Sequence, residues 1–281
     1  MRVSESAYHA YRKGKSYVVS AQKAAIGEQV KGVFYRHRRR YGARRIVAEL
    51  KAEGINVGRW LVRSQMTRLG LRAIQPRSFV PRTTDSRHTV APSPNLLLDE
   101  KNVAQKPRDV IVGDITYLPL RSGKWGYLAS WQDKVSKRIV GWAVAERMTE
   151  ELVTSALSKA VRSGCVTGGT IIHTDQGSQY VATNFRALLQ AHGCRQSMSR
   201  RGNCYDNAQA ESFFSRSKAE LLEGGVFADV SQARSETFSY IEGYYNRVRR
   251  HSALGDKTPA EFERDINLKK KGESSESFVS A

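Results

Sequence analysis

The sequence predicts an α/β domain with a mixed sheet flanked by helices, preceded by a basic helical domain of helix-turn-helix type. Three observations predict it. The apolar pattern changes from helical spacing to strand-like runs near residue 109. Five of the seven prolines fall between residues 74 and 108, where apolar periodicity is weak. Positive charge is concentrated ahead of that break. Residues 1–90 carry 20 Lys and Arg against 5 Asp and Glu, a net +15, and residues 91–281 carry 26 against 22, a net +4. The expected division is a basic helical region at 1–75, a linker at 76–108, an α/β domain at 109–268 and a polar tail at 269–281. A chain of 281 residues, 40% hydrophobic, is long enough to bury a real core in one large or two modest domains.

Residues 1–40 read as helical and basic, ending in the run Arg36 to Arg40. Ile46, Val47 and Leu50 form the next helical stripe, and Gly54 terminates it. After the turn Ile55 to Gly58, the segment Arg59 to Leu69 repeats the spacing with Val62, Met66 and Leu69. Helix, short turn, helix is the arrangement of a helix-turn-helix, whose second helix would expose Arg59, Arg63 and Arg68. A plain helical hairpin with a solvated basic face gives the same pattern. The charge around it favours a polyanion, and nucleic acid is the polyanion that such Lys and Arg density suits.

Strands are expected at 110–120, 125–133 and 138–145, the last two joined by a short turn. Thr149 is placed to cap a helix over 150–162 whose first turn carries Glu150 and Glu151. A short strand at 170–174, a helix at 182–191, a strand at 196–199 and a helix at 207–222 follow. Alternation of strands with helices is the signature of an α/β layer. One long helix is expected over 230–250. Thr258-Pro259-Ala260-Glu261 is a capping box that opens a last helix, and the polar residues 269–281 are expected to fray.

No apolar run approaches the ~18–20 residues of a membrane span, and the N-terminus lacks the apolar stretch of a signal peptide. A cytoplasmic, nucleoid-associated protein without a membrane partner is the expectation. Cys165, Cys194 and Cys204 have no spacing typical of zinc or of a disulfide framework, so they read as reduced structural thiols.

Three acids carry the chemical interest. Side chains alternate along a strand, so Val110, Val112, Asp114 and Thr116 share one face. An acid between valines on a central strand is costly unless it is paired or binds metal. Asp175 closes the strand after it, and the ends of neighbouring strands are where ligands gather in α/β sheets. Glu211 lies early in a helix, and Lys218, seven residues on, projects from the same face. Ala210, Phe214, Ser217 and Leu221 form the stripe expected to pack inward. Hard oxygen donors of this kind suit Mg²⁺, with Mn²⁺ as a substitute, and two such ions can act on both the attacking and the leaving oxygen of a phosphoryl centre. Residue types alone leave ordinary salt-bridged carboxylates as the alternative.

The segments around the acids decide between the two. Asp-Ile-Thr-Tyr at 114–117, His-Thr-Asp-Gln-Gly-Ser-Gln-Tyr at 173–180 and Asp-Asn-Ala-Gln-Ala-Glu-Ser-Phe-Phe at 206–214 resemble the three catalytic motifs of DDE transposases and retroviral-type integrases. The resemblance is closest to the second-reading-frame transposases of the bacterial insertion-sequence family that uses two overlapping frames. Arg-Ile-Val-Gly-Trp at 138–142, the stretch Tyr245-Asn246 to His251, Leu254-Gly255, Thr258-Pro259 and Tyr-Gly-Ala-Arg-Arg-Ile at 41–46 are similar to that family too. The 35 residues between Asp175 and Glu211, followed by Lys218, are a specific signal within it.

That resemblance implies an RNase H-like core in which Asp114, Asp175 and Glu211 hold two Mg²⁺. It implies cleavage at the element's end, then attack of the freed 3′-hydroxyl on another DNA strand. Partners would be the terminal inverted repeats, target DNA and further copies of the chain, with an upstream-frame protein joined by frameshifting. The sequence shows no leucine-heptad segment, so the chain by itself is expected to bind its ends weakly. Lys218 would contact the DNA end; Arg44, Arg45, Arg59, Arg63, Arg249 and Arg250 are the other candidate DNA contacts. Without metal the like charges repel, and Glu211 is expected to turn away. Two positions depart from the family pattern: Ile111, where Trp is frequent, and Ser217, where Leu is frequent. Packed or turn-forming roles are expected for His173 and Asp133, and a capping role for Asn207. Two rival readings are a nuclease of the same fold that only hydrolyses, and a transposase-derived DNA-binding regulator.

Overall fold

The computed structural model describes residues 4–14, 20–76, 92–200 and 208–279, with side chains described as far as residue 269. Asn207 and Cys204 lie outside the described residues. The chain divides into two units, Met1–Ile74 and Gln75–Ala281.

The first unit contains α1 (Glu5–Arg12), α2 (Ala21–Arg36), α3 (Ala43–Ala52) and α4 (Arg59–Arg68). Val30, Val33 and Phe34 of α2 are buried, with Ile46 and Leu50 of α3 and Val62 and Met66 of α4, so the stripes predicted for the latter two helices lie on faces that pack. Tyr41 is also buried, and the His37 ring stacks on it at 3.8 Å between centroids. Gly54, at φ +82°, supplies the left-handed turn that ends α3, and Gly58 is the N-cap of α4.

The second unit is built on a five-stranded sheet of β1 (Val110–Pro119), β2 (Trp125–Asp133), β3 (Ile139–Ala145), β4 (Ile171–Thr174) and β5 (Arg195–Met198). Their order is β3-β2-β1-β4-β5. The first three strands are antiparallel, and β4 and β5 run parallel to β1. This mixed sheet, flanked by helices, is the RNase H-like arrangement. Helices α5 (Glu150–Arg162), α6 (Ser178–Val181) and α7 (Thr183–Ala191) cover one face through Leu152, Val153, Leu157, Tyr180 and Phe185 against Ile111, Trp131 and Ile172. Helices α8 (Ala208–Leu222) and α9 (Val230–Phe238) cover the other through Phe213, Phe214, Val230 and Ala233 against Leu118, Leu128 and Val144. The chain ends in α10 (Pro259–Val279), opened by the expected capping box: Thr258 N–H donates to Glu261 at 2.8 Å, and Glu261 N–H returns to Thr258 Oγ1 at 3.2 Å.

Trp131 anchors the first face. Its indole donates to Val153 O at 3.2 Å and its ring stacks on Phe185 at 5.8 Å. Any Cβ at Gly113, its neighbour across β1, would overlap that ring, so the residue before Asp114 has to be glycine.

Three expectations change. The segment 230–250 is not one helix. After α9 the backbone widens into a π-helical stretch, Ser239–Tyr245. The wider turn brings Tyr245 Oη to Gln132 Nε2 at 2.8 Å, and sets the Asn246 side chain on both the amide and the carbonyl of Ile139, at 2.9 and 3.0 Å. The end of the expected linker is also part of the sheet unit. Pro94 O accepts from Met198 N–H at 3.3 Å, Ser197 Oγ accepts from Leu96 N–H at 3.0 Å, and Leu96 and Leu97 pack on Val110, Val112 and Ile171. Finally, the backbone stays helical through the expected tail as far as Val279. No described helix is long and apolar enough to cross a membrane.

Candidate active site

Parallel pairing of β1 with β4 sets Val112 beside His173. Asp114 and Asp175 each lie two residues further along their own chain, so they occupy matching positions, Asp114 in the middle of β1 and Asp175 just past the C-terminal end of β4. Side-chain alternation puts both on the face covered by α8, which carries Glu211 and Lys218. Sheet register and one helix thus bring Asp175, Glu211 and Lys218 within electrostatic reach of Asp114.

The electrostatics agree with that placement. Burial, then the charge of Asp175 and, more weakly, that of Glu211, holds the Asp114 carboxyl well above the ordinary range. A hydrogen bond from Ile115 N–H at 2.7 Å and the Lys218 ammonium act in the opposite direction. Asp175 is likewise raised by burial, partly offset by Gly177 N–H, which donates to Oδ1 at 3.0 Å. Burial lowers Lys218, and the charge of Asp114 partly restores it. Glu211 is exposed on the first turn of α8. Among the described residues, no three His, Cys, Asp or Glu side chains stand close enough to hold a metal ion.

The donor chemistry fits a divalent cation even so. Two carboxylates on neighbouring parallel segments, desolvated and repelling each other, are an arrangement that a hard cation relieves. Asp114 and Asp175 would supply the fixed oxygens, and Glu211 would turn in from the exposed side of α8.

The surrounding residues sort themselves by contact. His173 is buried and hydrogen-bonded to Ser197 Oγ at 2.8 Å. Asp133 is buried and accepts from the amides of Arg108, Val135 and Ser136 at 2.6, 2.9 and 2.6 Å, a turn-forming role. Ile111 is fully buried in the Trp131 cluster, and the Ser217 hydroxyl donates to Phe214 O at 3.2 Å. Neither departure from the family pattern therefore leaves a packing defect.

The candidate DNA contacts divide differently. Arg44, Arg59 and Arg63 are exposed on α3 and α4, and Trp60 beside them is 79% exposed, a feature the helical stripe did not single out. Arg45 is half-buried over the Tyr41 ring at 5.6 Å. Arg250 is half-buried and donates to Asp256 O at 3.0 Å. Arg249 corrects the expectation. It is 1% exposed, and its guanidinium forks onto Glu220 with contacts of 2.7 to 3.1 Å. Tyr240 donates to the same carboxylate at 2.8 Å. Arg249 is therefore an internal strut between α8 and the segment after the π-helical turn. Sequence spacing could not reveal this, because its partner lies 29 residues away.

Comparisons with known proteins follow the same division of the chain. Residues 104–204 match the family described as integrase core domain, residues 192–259 match a second family of that description, and residues 21–79 match the HTH-like domain family. A transposase for insertion sequence element IS904 from Lactococcus lactis is 38% identical over 243 residues, covering 86% of this chain and 95% of that protein. Transposase InsF for insertion sequence IS3A from Escherichia coli is 37% identical over 265 residues, 94% and 91% of the two chains. A 31 kDa insertion element IS600 protein from Shigella sonnei is 43% identical over 234 residues, 83% and 85%. Among solved structures, the HTLV-2 integrase catalytic core domain in complex with magnesium is similar at 16% identity and a TM-score of 0.42, covering 56% of this chain and 97% of that one.

Proposed function

The chain belongs to the insertion-sequence transposases of the IS3 type, which join an HTH-like domain to an integrase core domain, and from that premise we propose that it cuts and joins DNA at the ends of its element. The observation that carries the proposal is the matched placement of Asp114 and Asp175 on parallel β1 and β4, beneath the helix that bears Glu211 and Lys218. Water attack at the element's end breaks a P–O3′ bond and frees a 3′-hydroxyl, and that hydroxyl attacks a phosphodiester of a second strand and displaces that strand's own 3′-oxygen, with no covalent protein intermediate.

Asp114, Asp175 and Glu211 would hold Mg²⁺ or Mn²⁺, two ions in all, whose chemistry when bound is to polarise the phosphoryl oxygens and lower the pKa of the attacking water. The chain's own contribution is rigidity and charge. Two of the acids stand on strands whose register cannot slide without turning the core outward. Lys218 places a cation at their edge, where the DNA end enters. Arg44, Arg45, Arg59, Arg63 and Arg250 contribute backbone-neutralising charge, with Trp60 as an apolar contact among them. Two ends have to be held at once, so a homo-oligomer assembles on the DNA, and a frameshift-fused upstream protein strengthens end binding. The place of action is the nucleoid in the bacterial cytoplasm.

The test is a strand-transfer assay on oligonucleotides that mimic the element's ends, with Mg²⁺ and a target duplex. Joined product is expected. Cleavage without joining would replace the reading by a hydrolytic nuclease. Neither product from a folded, metal-supplied chain would favour a DNA-binding regulator.

Binding offers a separate check. Arg59→Ala and Arg63→Ala should each weaken DNA binding and reduce the slope of log K against log salt by about 1, the signature of one lost phosphate contact. An unchanged slope in a salt titration would remove these residues from the DNA-facing set.

A further inference from the structure

One buried polar atom beside the acids is left over by the packing. Tyr180 is 2% exposed, and its ring is gripped edge-on by Trp131 at 6.0 Å and Phe185 at 5.6 Å between centroids. Its backbone N–H closes a turn on Gly177 O at 3.0 Å, which holds the residue five positions beyond Asp175 in the same tight turn. Gly177 lies between the two: a Cβ there would stand 3.1 Å from Asp175 Oδ1 and 3.4 Å from Tyr180 Cδ2. The ring hydroxyl, however, has no hydrogen-bond partner among the described residues. A buried O–H left unpaired costs about 1–3 kcal/mol, and phenylalanine would fill the same space without that cost.

The acceptor side shows the matching deficit. Among the described residues, the Asp175 carboxylate receives one donor, the Gly177 amide on Oδ1, although a carboxylate has room for several. The charges of Asp114 and Asp175 both act at the Tyr180 hydroxyl, after burial, to hold its proton on. The Tyr180 ring and the Asp175 carboxylate thus border the same glycine, one carrying an unspent donor and the other an under-satisfied acceptor.

We propose that Tyr180 is a positioning residue of the reaction centre, its unspent hydroxyl coming to donate a hydrogen bond to the nearby Asp175 carboxylate when the centre assembles, and so holding that carboxylate in one orientation. The inference rests on the reading of Asp114, Asp175 and Glu211 as the metal-holding acids. It adds a fourth side chain, one that touches neither cation nor DNA. Outer partners of metal-holding groups commonly contribute about 10–100-fold in metal affinity or activity, which sets the size of the expected effect.

Tyr180→Phe tests it in the full-length chain. Ring packing is kept, so the thermal unfolding midpoint should stay the same or rise. Mn²⁺ affinity, measured by calorimetry on the DNA-free protein, should fall at least about tenfold. The turnover rate for end cleavage should fall by a similar factor, with the KM for DNA unchanged. A purely structural tyrosine would give the reverse, a lower unfolding midpoint with unaltered Mn²⁺ affinity, and that result overturns the proposal. Wild-type metal affinity at an unchanged midpoint overturns it equally. Asp175→Asn, run alongside, separates the two levels. If that variant still binds Mn²⁺ and cleaves normally, the metal-holding reading itself fails. If it is inactive while Tyr180→Phe behaves as wild type, only the role of Tyr180 is lost.

Discussion

Asp114→Asn and Asp175→Asn should each lower end cleavage by about a thousandfold or more, because losing one fixed oxygen donor removes several kcal/mol of charge stabilisation at the phosphoryl centre. The same variants should be at least as stable as the wild type. Burial and mutual repulsion raise both carboxyls above the ordinary range, so their charged forms work against folding at neutral pH. The protonated forms support the fold below the ordinary carboxyl pKa, and that support is lost as pH rises through the raised values. Asparagine keeps the shape and drops the charge. In metal-free buffer near pH 7, a thermal midpoint a few degrees higher, together with loss of cleavage, is the expected pair of results. An inactive variant with a clearly lower midpoint would mean that the acid holds the fold together instead.

Arg249→Ala should behave in the opposite way. It leaves Glu220 buried, 7% exposed, without the guanidinium that forks onto its carboxylate. Burial by itself pulls the guanidinium down, but Tyr240 and Glu220 outweigh it and hold Arg249 above its ordinary value. Breaking such a pair costs about 3–5 kcal/mol, which should appear in urea unfolding as a large drop in midpoint. Replacing both partners, with Arg249→Met and Glu220→Met together, should recover most of the loss, since no uncompensated charge remains. At a temperature where the single variant is folded, the salt dependence of its DNA binding should match the wild type. A reduced salt slope with normal stability would return Arg249 to the DNA-facing set.

Much of this site could be read directly from residue order. Alternation along Val110, Val112, Asp114 and Thr116 identified the strand and its acid-bearing face, and the stripe Ala210, Phe214, Ser217 packs inward as its spacing requires. Segments of this kind carry their own period, so local pattern is enough. The 230–250 segment is the counterexample. Its composition is helical throughout, yet long-range bonds from Gln132 and Ile139 to Tyr245 and Asn246 draw the backbone into a wider turn. Pro94 and Leu96 show the same limit at the other end, where a proline-rich stretch finds acceptors and apolar partners on β5 and β1.

By itself, then, the sequence singled out the candidate residues for chemistry on DNA: three acids with a following lysine, in a chain whose first third is strongly basic. Charge, spacing and local period are properties of the covalent chain and survive without a fold. Tertiary structure decided how those residues are used. It matched Asp114 to Asp175 across a parallel pairing of strands 61 residues apart in sequence, from Val112 to His173. It also took Arg249 inside the protein and brought a tyrosine hydroxyl, unpaired among the described residues, to the edge of the acids. Each of those outcomes depends on burial and on partners distant in sequence, and both come into existence only when the sheet closes and its two faces are covered.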